Sequence, residues 1–382
     1  MTRLSTDELA RRTLVRQFPA VRGTDGDAVT ALLTHLGPVQ SQVPRSPFLT
    51  ASSRLPGVDR ATVRRLFEEH RLVKTSSLRG TVHTGVAAHH PLLDAASRPA
   101  RRQALTARLR LGRVSVDQLW AELEAFAADA WQARPALVEH ARQWLAVHES
   151  AAAAAALDDT STAALVGSHS GLLRRPPDQR WETRTDVLHR TARAVLPGPA
   201  ASSADAAPSA DEALAALVPL HLGALGPATR AELAHVLGAT LGAVDRAVAA
   251  AGDTLVRLDG PDDEVLVELA EPGADGPGPD PVVLLPEFDA LLVGLHPAHR
   301  TRFLGAEQLA AVWSKVNGVC APTVLHDGRV VGTWRTVVSG TTARVEVRAL
   351  PGARLPDEAA LAAPATAAAT ALGLDLREVR LL

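Results

Sequence analysis

Apolar positions along the first ninety residues recur at helical spacing and then give way to short extended runs. Ser5 and Thr6 stand ahead of Leu9, Leu14 and Val15, which predicts a helix over residues 7–18 opened by a hydroxyl cap. Further helices are expected over 27–36, stopped by Gly37 and Pro38, and over 46–55 and 59–70. Two extended pieces follow, 72–75 and 80–83, too short for an independent sheet but suited to a wing. Helices closed by a small hairpin make the winged form of helix-turn-helix, so residues 1–97 are read as a first winged helix.

Residues 98–195 are read as a second winged helix, with helical stretches over 100–111, 115–128 and 134–147 and a loop-like segment over 171–181. The Ala-rich run 149–156 reads as a helix end, and the Ala/Ser/Pro block 196–210 as a linker or long loop. The third unit, 211–270, repeats the pattern. Leu214, Leu217, Val218 and Leu220 mark one helix, 230–237 and 241–251 two more, and strands over 254–258 and 265–269 flank a Gly-Pro-Asp-Asp tip. Its wing carries Asp259, Asp262, Asp263 and Glu264, which repel phosphate, so this copy is expected to pack rather than to read DNA. Residues 271–382 form a β-rich region with strands over 282–285, 323–326, 330–334 and 343–349, closed by an Ala-rich helix over 357–372. The expected class is α+β, mainly helical: tandem winged helices followed by a β-rich C-terminal region.

Composition narrows the setting. With six Trp, six Phe and no Tyr, the cores must rest on Leu, Val and Ala. A single cysteine, Cys320, excludes an internal disulfide and an all-cysteine metal cluster. No run is apolar enough to insert into a membrane, and acids occupy the place of a signal peptide's apolar region, which points to the cytoplasm. The net charge is only −2, yet residues 1–110 hold 18 Lys+Arg against 8 Asp+Glu. One end is therefore basic, as a surface that meets phosphate would be. Nearly every basic residue is Arg, Lys74 and Lys315 excepted. Schiff-base chemistry needs an amine, so any base removal is expected to be simple hydrolysis.

Several catalytic signatures are missing, among them a phosphate loop, a dinucleotide-binding glycine pattern, HExxH and GxSxG. His89-His90 and the pair His296 and His299 lack neighbouring ligands at metal-binding spacing, so neither a metal nor another cofactor is expected. The segment Gly37-Pro-Val-Gln-Ser-Gln-Val-Pro44 stands out. Prolines bracket it and bias it towards extended backbone, where residues i and i+2 share a face. Gln40 and Gln42 then point the same way. Two carboxamides can hold a water or grip polar edges, but an amide oxygen is too weak a base for general-base work.

The string Gln40-Ser-Gln42-Val-Pro-Arg45-Ser-Pro-Phe-Leu, continuing to Ser53-Arg54-Leu55, resembles the Q-x-Q motif of the AlkZ-like winged-helix DNA glycosylases. Leu78-Arg79-Gly80-Thr81-Val82-His83 is similar to that family's R-G-T-x-H segment, and Leu172-Leu173-Arg174-Arg175-Pro176-Pro177 to its L-L-R-x-P-P stretch. Leu284-Leu285-Pro286-Glu287-Phe288-Asp289 resembles its L-L-P-E-F-D, and the region from Asn317-Gly318 to Trp334 its C-terminal block. The blocks occur in family order. Val43 stands where an acid is expected, and Lys74-Thr75-Ser76 lacks the tryptophan of R-T-W.

The resemblance implies a C-shaped scaffold of tandem winged helices that embraces double-stranded DNA as a monomer. It implies monofunctional hydrolysis of the N-glycosidic bond of N7-alkylated purines, including bulky adducts and interstrand crosslinks. Gln40 and Gln42 would be the catalytic pair. Arg45, Arg54, Arg79 and Arg174 are the candidates for phosphate or groove contacts, with His83 beside them. Asp289 and Asn317 sit in family-like blocks and either serve the site or cap turns, and Trp334 belongs to a core. Alternatives are a winged-helix transcription regulator, or a DNA-binding resistance protein without catalysis.

Overall fold

The computed structural model describes residues 3–183, 187–196, 207–273, 275–314 and 318–382. Helix α1 (Thr6–Gln17) starts where the Ser5 side chain accepts from the Glu8 N–H. Helix α2 (Gly26–Leu36) is capped by Asp25 and ends at Gly37, whose φ of 73° suits a residue without a Cβ. Strand β1 (Val39–Gln40), helix α3 (Ser46–Arg54) and helix α4 (Arg60–Glu68) follow, then strands β2 (Leu72–Ser76) and β3 (Val82–Val86). Val29, Leu32, Leu33, Phe48, Leu66 and Phe67 pack together with little or no exposure and fix the three helices on one another.

Helix His90–Leu109 runs unbroken across residues 97 and 98, with Pro99 inside it. Strands β4 (Gln132–Ala133), β5 (Leu172–Arg175) and β6 (Leu188–Thr191) join β1–β3 in one sheet of order β1-β3-β2-β5-β6-β4. The β2–β3 hairpin and strands β4–β6 thus share one sheet, and β5 replaces the loop expected over 171–181. Its Leu172 and Leu173 are buried, and β2 and β6 take up its backbone hydrogen bonds, satisfaction that only distant strands provide. Of the block 196–210, residues 197–206 lie outside the described residues.

The third unit contains helices Ala210–Leu225, Arg230–Leu237 and Leu241–Ala251 and a sheet of β7 (Ala228–Thr229), β8 (Leu255–Asp259) and β9 (Val265–Leu269), in the order β7-β9-β8. The acids at its tip, Asp259, Asp262 and Asp263, are exposed, whereas the base of the hairpin is tied to the rest of the chain. Glu268 receives a two-pronged ion pair from Arg16 of α1, both nearly buried, and Glu264 meets His299 at 2.8 Å.

The C-terminal region is a five-stranded sheet curled into half a barrel: β10 (Val282–Leu285), β11 (Thr323–His326), β12 (Arg329–Ser339), β13 (Thr342–Ala349) and β14 (Asp375–Leu381). The Ala-rich helix Glu358–Ala371 does not close the chain. It is the crossover that brings β14 back parallel to β13. Trp334 is core, its indole N–H donating to the Leu285 carbonyl at 2.8 Å. The whole is a mixed α+β fold. No single helix among the described residues is long and apolar enough to cross a membrane.

Candidate active site

Strand β1 is the edge of the six-stranded sheet and holds the first glutamine. Val39 pairs with Thr84 and Gln40 with His83, and the Ser41 N–H continues the ladder to the Val82 carbonyl at 2.7 Å. Extended backbone turns side chains 40 and 42 to the same side. Ser41 turns the opposite way and donates to the Val39 carbonyl, with Thr84 Oγ1 also 2.9 Å away. Gln40 Nε2 donates to Gln42 Oε1 at 2.6 Å, and Arg79 Nη2 donates to Gln40 Oε1 at 3.0 Å. A guanidinium has only donors, so Gln40 must present its oxygen to Arg79 and its NH2 to Gln42. That fixes how both amides face. Gln40 is buried at 8% exposure and Gln42 is exposed.

Gln42 stands on the rim of an open cleft of about 400 Å3 that is also bordered by Lys74, Arg174 and Arg175. The antiparallel register Thr75↔Leu173, carried one residue further, sets Lys74 opposite Arg174. Like charges so placed repel. Burial, reinforced by Arg174, pulls the Lys74 amine down to about 8, and burial, then Arg134, pulls Arg174 down to about 10. Arg174 Nη1 reaches only Ser76 Oγ, at 3.5 Å, and its Nε has no partner among the described residues. Lys74 pairs across the sheet with Thr84, whereas Gln40 pairs with His83, so Gln40 and Lys74 occupy opposite faces. The exposed Gln42, beyond the end of β1, borders the cationic side.

Other expected DNA contacts are placed elsewhere. Arg54 is 1% exposed and forms a two-pronged pair with Asp289, which is 2% exposed, at 2.6 and 3.0 Å. Its remaining donors face Gln17 and the Ser53 hydroxyl, leaving nothing for a phosphate. Asp289 also caps the Leu291 N–H, so it closes a turn and a clamp rather than lining the cleft. Arg45 is partly exposed and is engaged by the buried Glu287. The two acids of Leu-Leu-Pro-Glu-Phe-Asp thus hold the two arginines at the ends of α3. His83 is also corrected: it is 4% exposed inside the hairpin, where Nδ1 donates to the Thr81 carbonyl at 3.0 Å. Burial first, then the Arg79 charge, pushes it down to about 3, so it is neutral and out of reach of phosphate. Arg79 points at Gln40 rather than outward, and Asn317 lies outside the described residues.

A family model described as DNA glycosylase AlkZ-like matches residues 33–371. The chain belongs to the AlkZ-like DNA glycosylase family. Among solved structures it is similar to Streptomyces sahachiroi DNA glycosylase AlkZ, with a TM-score of 0.75, 21% identity and coverage of 100% of both chains. No curated protein matches the sequence. Membership in a DNA glycosylase family implies DNA binding.

Set against the family motifs, Val43 at the acid position packs on the C-terminal core, where a carboxylate would be desolvated. Sequence reasoning passed over Lys74 and Arg175 as cleft residues. The only signal was the dipeptide Arg174-Arg175 ahead of two prolines, and its meaning depends on the pairing of β5 with β2.

Proposed function

We propose that this chain is a DNA glycosylase of the Q-x-Q branch that hydrolyses the N-glycosidic bond of N7-alkylated purines in duplex DNA. Bulky adducts and interstrand crosslinks are included in its range. Alkylation at N7 puts positive charge on the base, so the leaving group is activated and needs no strong general acid. The departing base transfers that charge to the sugar, which becomes oxocarbenium-like. The exposed carbonyl dipole of Gln42 stabilises it and orients the attacking water, and Gln40 holds that carbonyl through its NH2.

The observation that carries the reading is the hydrogen-bonded amide pair at the sheet edge, with Gln42 exposed on the rim of a cleft walled by Lys74 and Arg174. Those cations seat the DNA backbone, and the neutral amide of Gln42 meets the sugar. Arg174 is the phosphate contact in this reading. Gln42, exposed just beyond the edge strand, reaches a base that stays stacked, as a crosslinked base must.

The test is incubation with duplex carrying N7-methylguanine, followed by detection of abasic sites. The wild type releases the base. Gln42→Ala binds the duplex equally well and excises at least about 100-fold more slowly, as loss of an electrostatic stabiliser does. An equally active Gln42→Ala variant would remove the amides from the chemistry.

A further inference from the structure

Arg79 links parts of the molecule that are far apart in sequence. One guanidinium nitrogen donates to Gln40 Oε1 at 3.0 Å, and the other donates to the Val236 carbonyl at 3.1 Å. Val236 lies in the last turn of helix Arg230–Leu237, in the third unit. The last carbonyls of a helix lack intrahelical partners and form the negative end of its dipole, so a cation is held there. The helix stops at Gly238, with φ of 66°, and a Cβ at that position would lie 3.0 Å from the Arg79 backbone nitrogen. The third unit therefore abuts Arg79 through backbone as well as through the side chain. Arg79 itself has φ of 55°, a left-handed conformation that costs any residue with a Cβ. Both nitrogens face inward, and burial, with Arg300 second, lowers the group to about 10, so it stays charged at neutral pH.

We propose that Arg79 is a positioning residue for base excision: anchored on the end of the third unit's helix, it holds the Gln40 oxygen and thereby aims Gln42 into the cleft. The inference rests on the glycosylase reading of the two glutamines. It gives the third unit, through the end of its helix Arg230–Leu237, a part in catalysis. Without Arg79 the Gln40 amide can rotate by half a turn and present oxygen to oxygen at Gln42. The pair then loses its internal bond, and Gln42 loses its fixed direction.

The backbone supplies an unusual test. Because φ at position 79 is 55°, Arg79→Gly removes the side chain while relieving backbone strain, so the variant retains its fold. The residue also borders an interior cavity of about 60 Å3, shared with Gln40 and Val236, where free guanidinium can lodge. Single-turnover excision of N7-methylguanine at saturating enzyme separates aim from affinity. Arg79→Gly is expected to excise about 10- to 100-fold more slowly, with duplex Kd changed less than about threefold. Millimolar guanidinium, well below denaturing concentration, restores at least about tenfold, and methylammonium, which cannot span both oxygens, does not. Arg79→Gly at wild-type rate beside an inactive Gln42→Ala overturns the positioning role while leaving the glycosylase reading intact. If Gln42→Ala is itself fully active, it is that reading that fails. A variant whose only defect is salt-sensitive binding, or whose slow excision guanidinium does not restore, also overturns the proposal.

Discussion

Removing either half of the Arg54–Asp289 pair tests whether α3 is held by charge or whether its last residue serves DNA. The guanidinium is 1% and the carboxylate 2% exposed, with two contacts of 2.6 and 3.0 Å, and Arg54 also stacks 4.9 Å from the Phe18 ring. Arg54→Met leaves a buried carboxylate without a counter-charge, and Asp289→Asn leaves a buried guanidinium. Each costs about 3–5 kcal/mol, because desolvation is no longer offset. The double variant removes both charges, so its cost falls short of the summed singles by about 2 kcal/mol or more. Urea midpoints read this directly, since a substitution that leaves the slope unchanged shifts the midpoint in proportion to stability. Duplex affinity and its salt dependence, measured in the cold where every variant is folded, should stay close to wild type. The opposite pattern, an unmoved urea midpoint with weaker and less salt-sensitive binding by Arg54→Met, would refute the clamp and return Arg54 to the phosphate.

Three further outcomes are expected. Lys74 is buried and lowered from 10.5 to about 8, so below pH 8 the fold carries the cost of keeping it charged. Lys74→Met should stabilise by about 2–3 kcal/mol at neutral pH, and the gain should fade between pH 8 and 10.5 as the native amine loses its proton first. In Arg174→Ala, duplex binding weakens uniformly across sequences and the slope of log affinity against log salt falls by about one, whereas an unchanged slope would mean Arg174 touches no phosphate. His83 is lowered to about 3 from 6.5, so the unfolded chain binds the extra proton between those values and stability falls as pH drops below 6.5. His83→Asn should flatten that fall by about 1.4 kcal/mol per pH unit, read from urea midpoints at several pH values; an identical slope would show that His83 titrates normally.

Local pattern carried much of the architecture. Caps and apolar spacing placed α1–α4 within a few residues, and the helices and hairpin of the third unit likewise. Proline-biased extended backbone was enough to expect Gln40 and Gln42 on one side, because alternation in a strand is a local rule. Strand β5 was read as loop, since Leu-Leu-Arg-Arg before two prolines is too short to show a period and becomes a strand only when β2 and β6 accept its hydrogen bonds. Strand β14 escaped notice because its alternating charges resemble a solvated tail until β13 pairs with it. Which arginines are tied up inside the fold was not legible. Arg54 and Asp289 are 235 residues apart, and Arg79 and Val236 157 apart. Helix propensity and strand alternation are settled among neighbours a few residues away. The neutralisation of a charge is settled by whatever the completed fold brings within about 4 Å of it, so the sequence shows where cations are plentiful and only the tertiary structure decides which remain free for a phosphate.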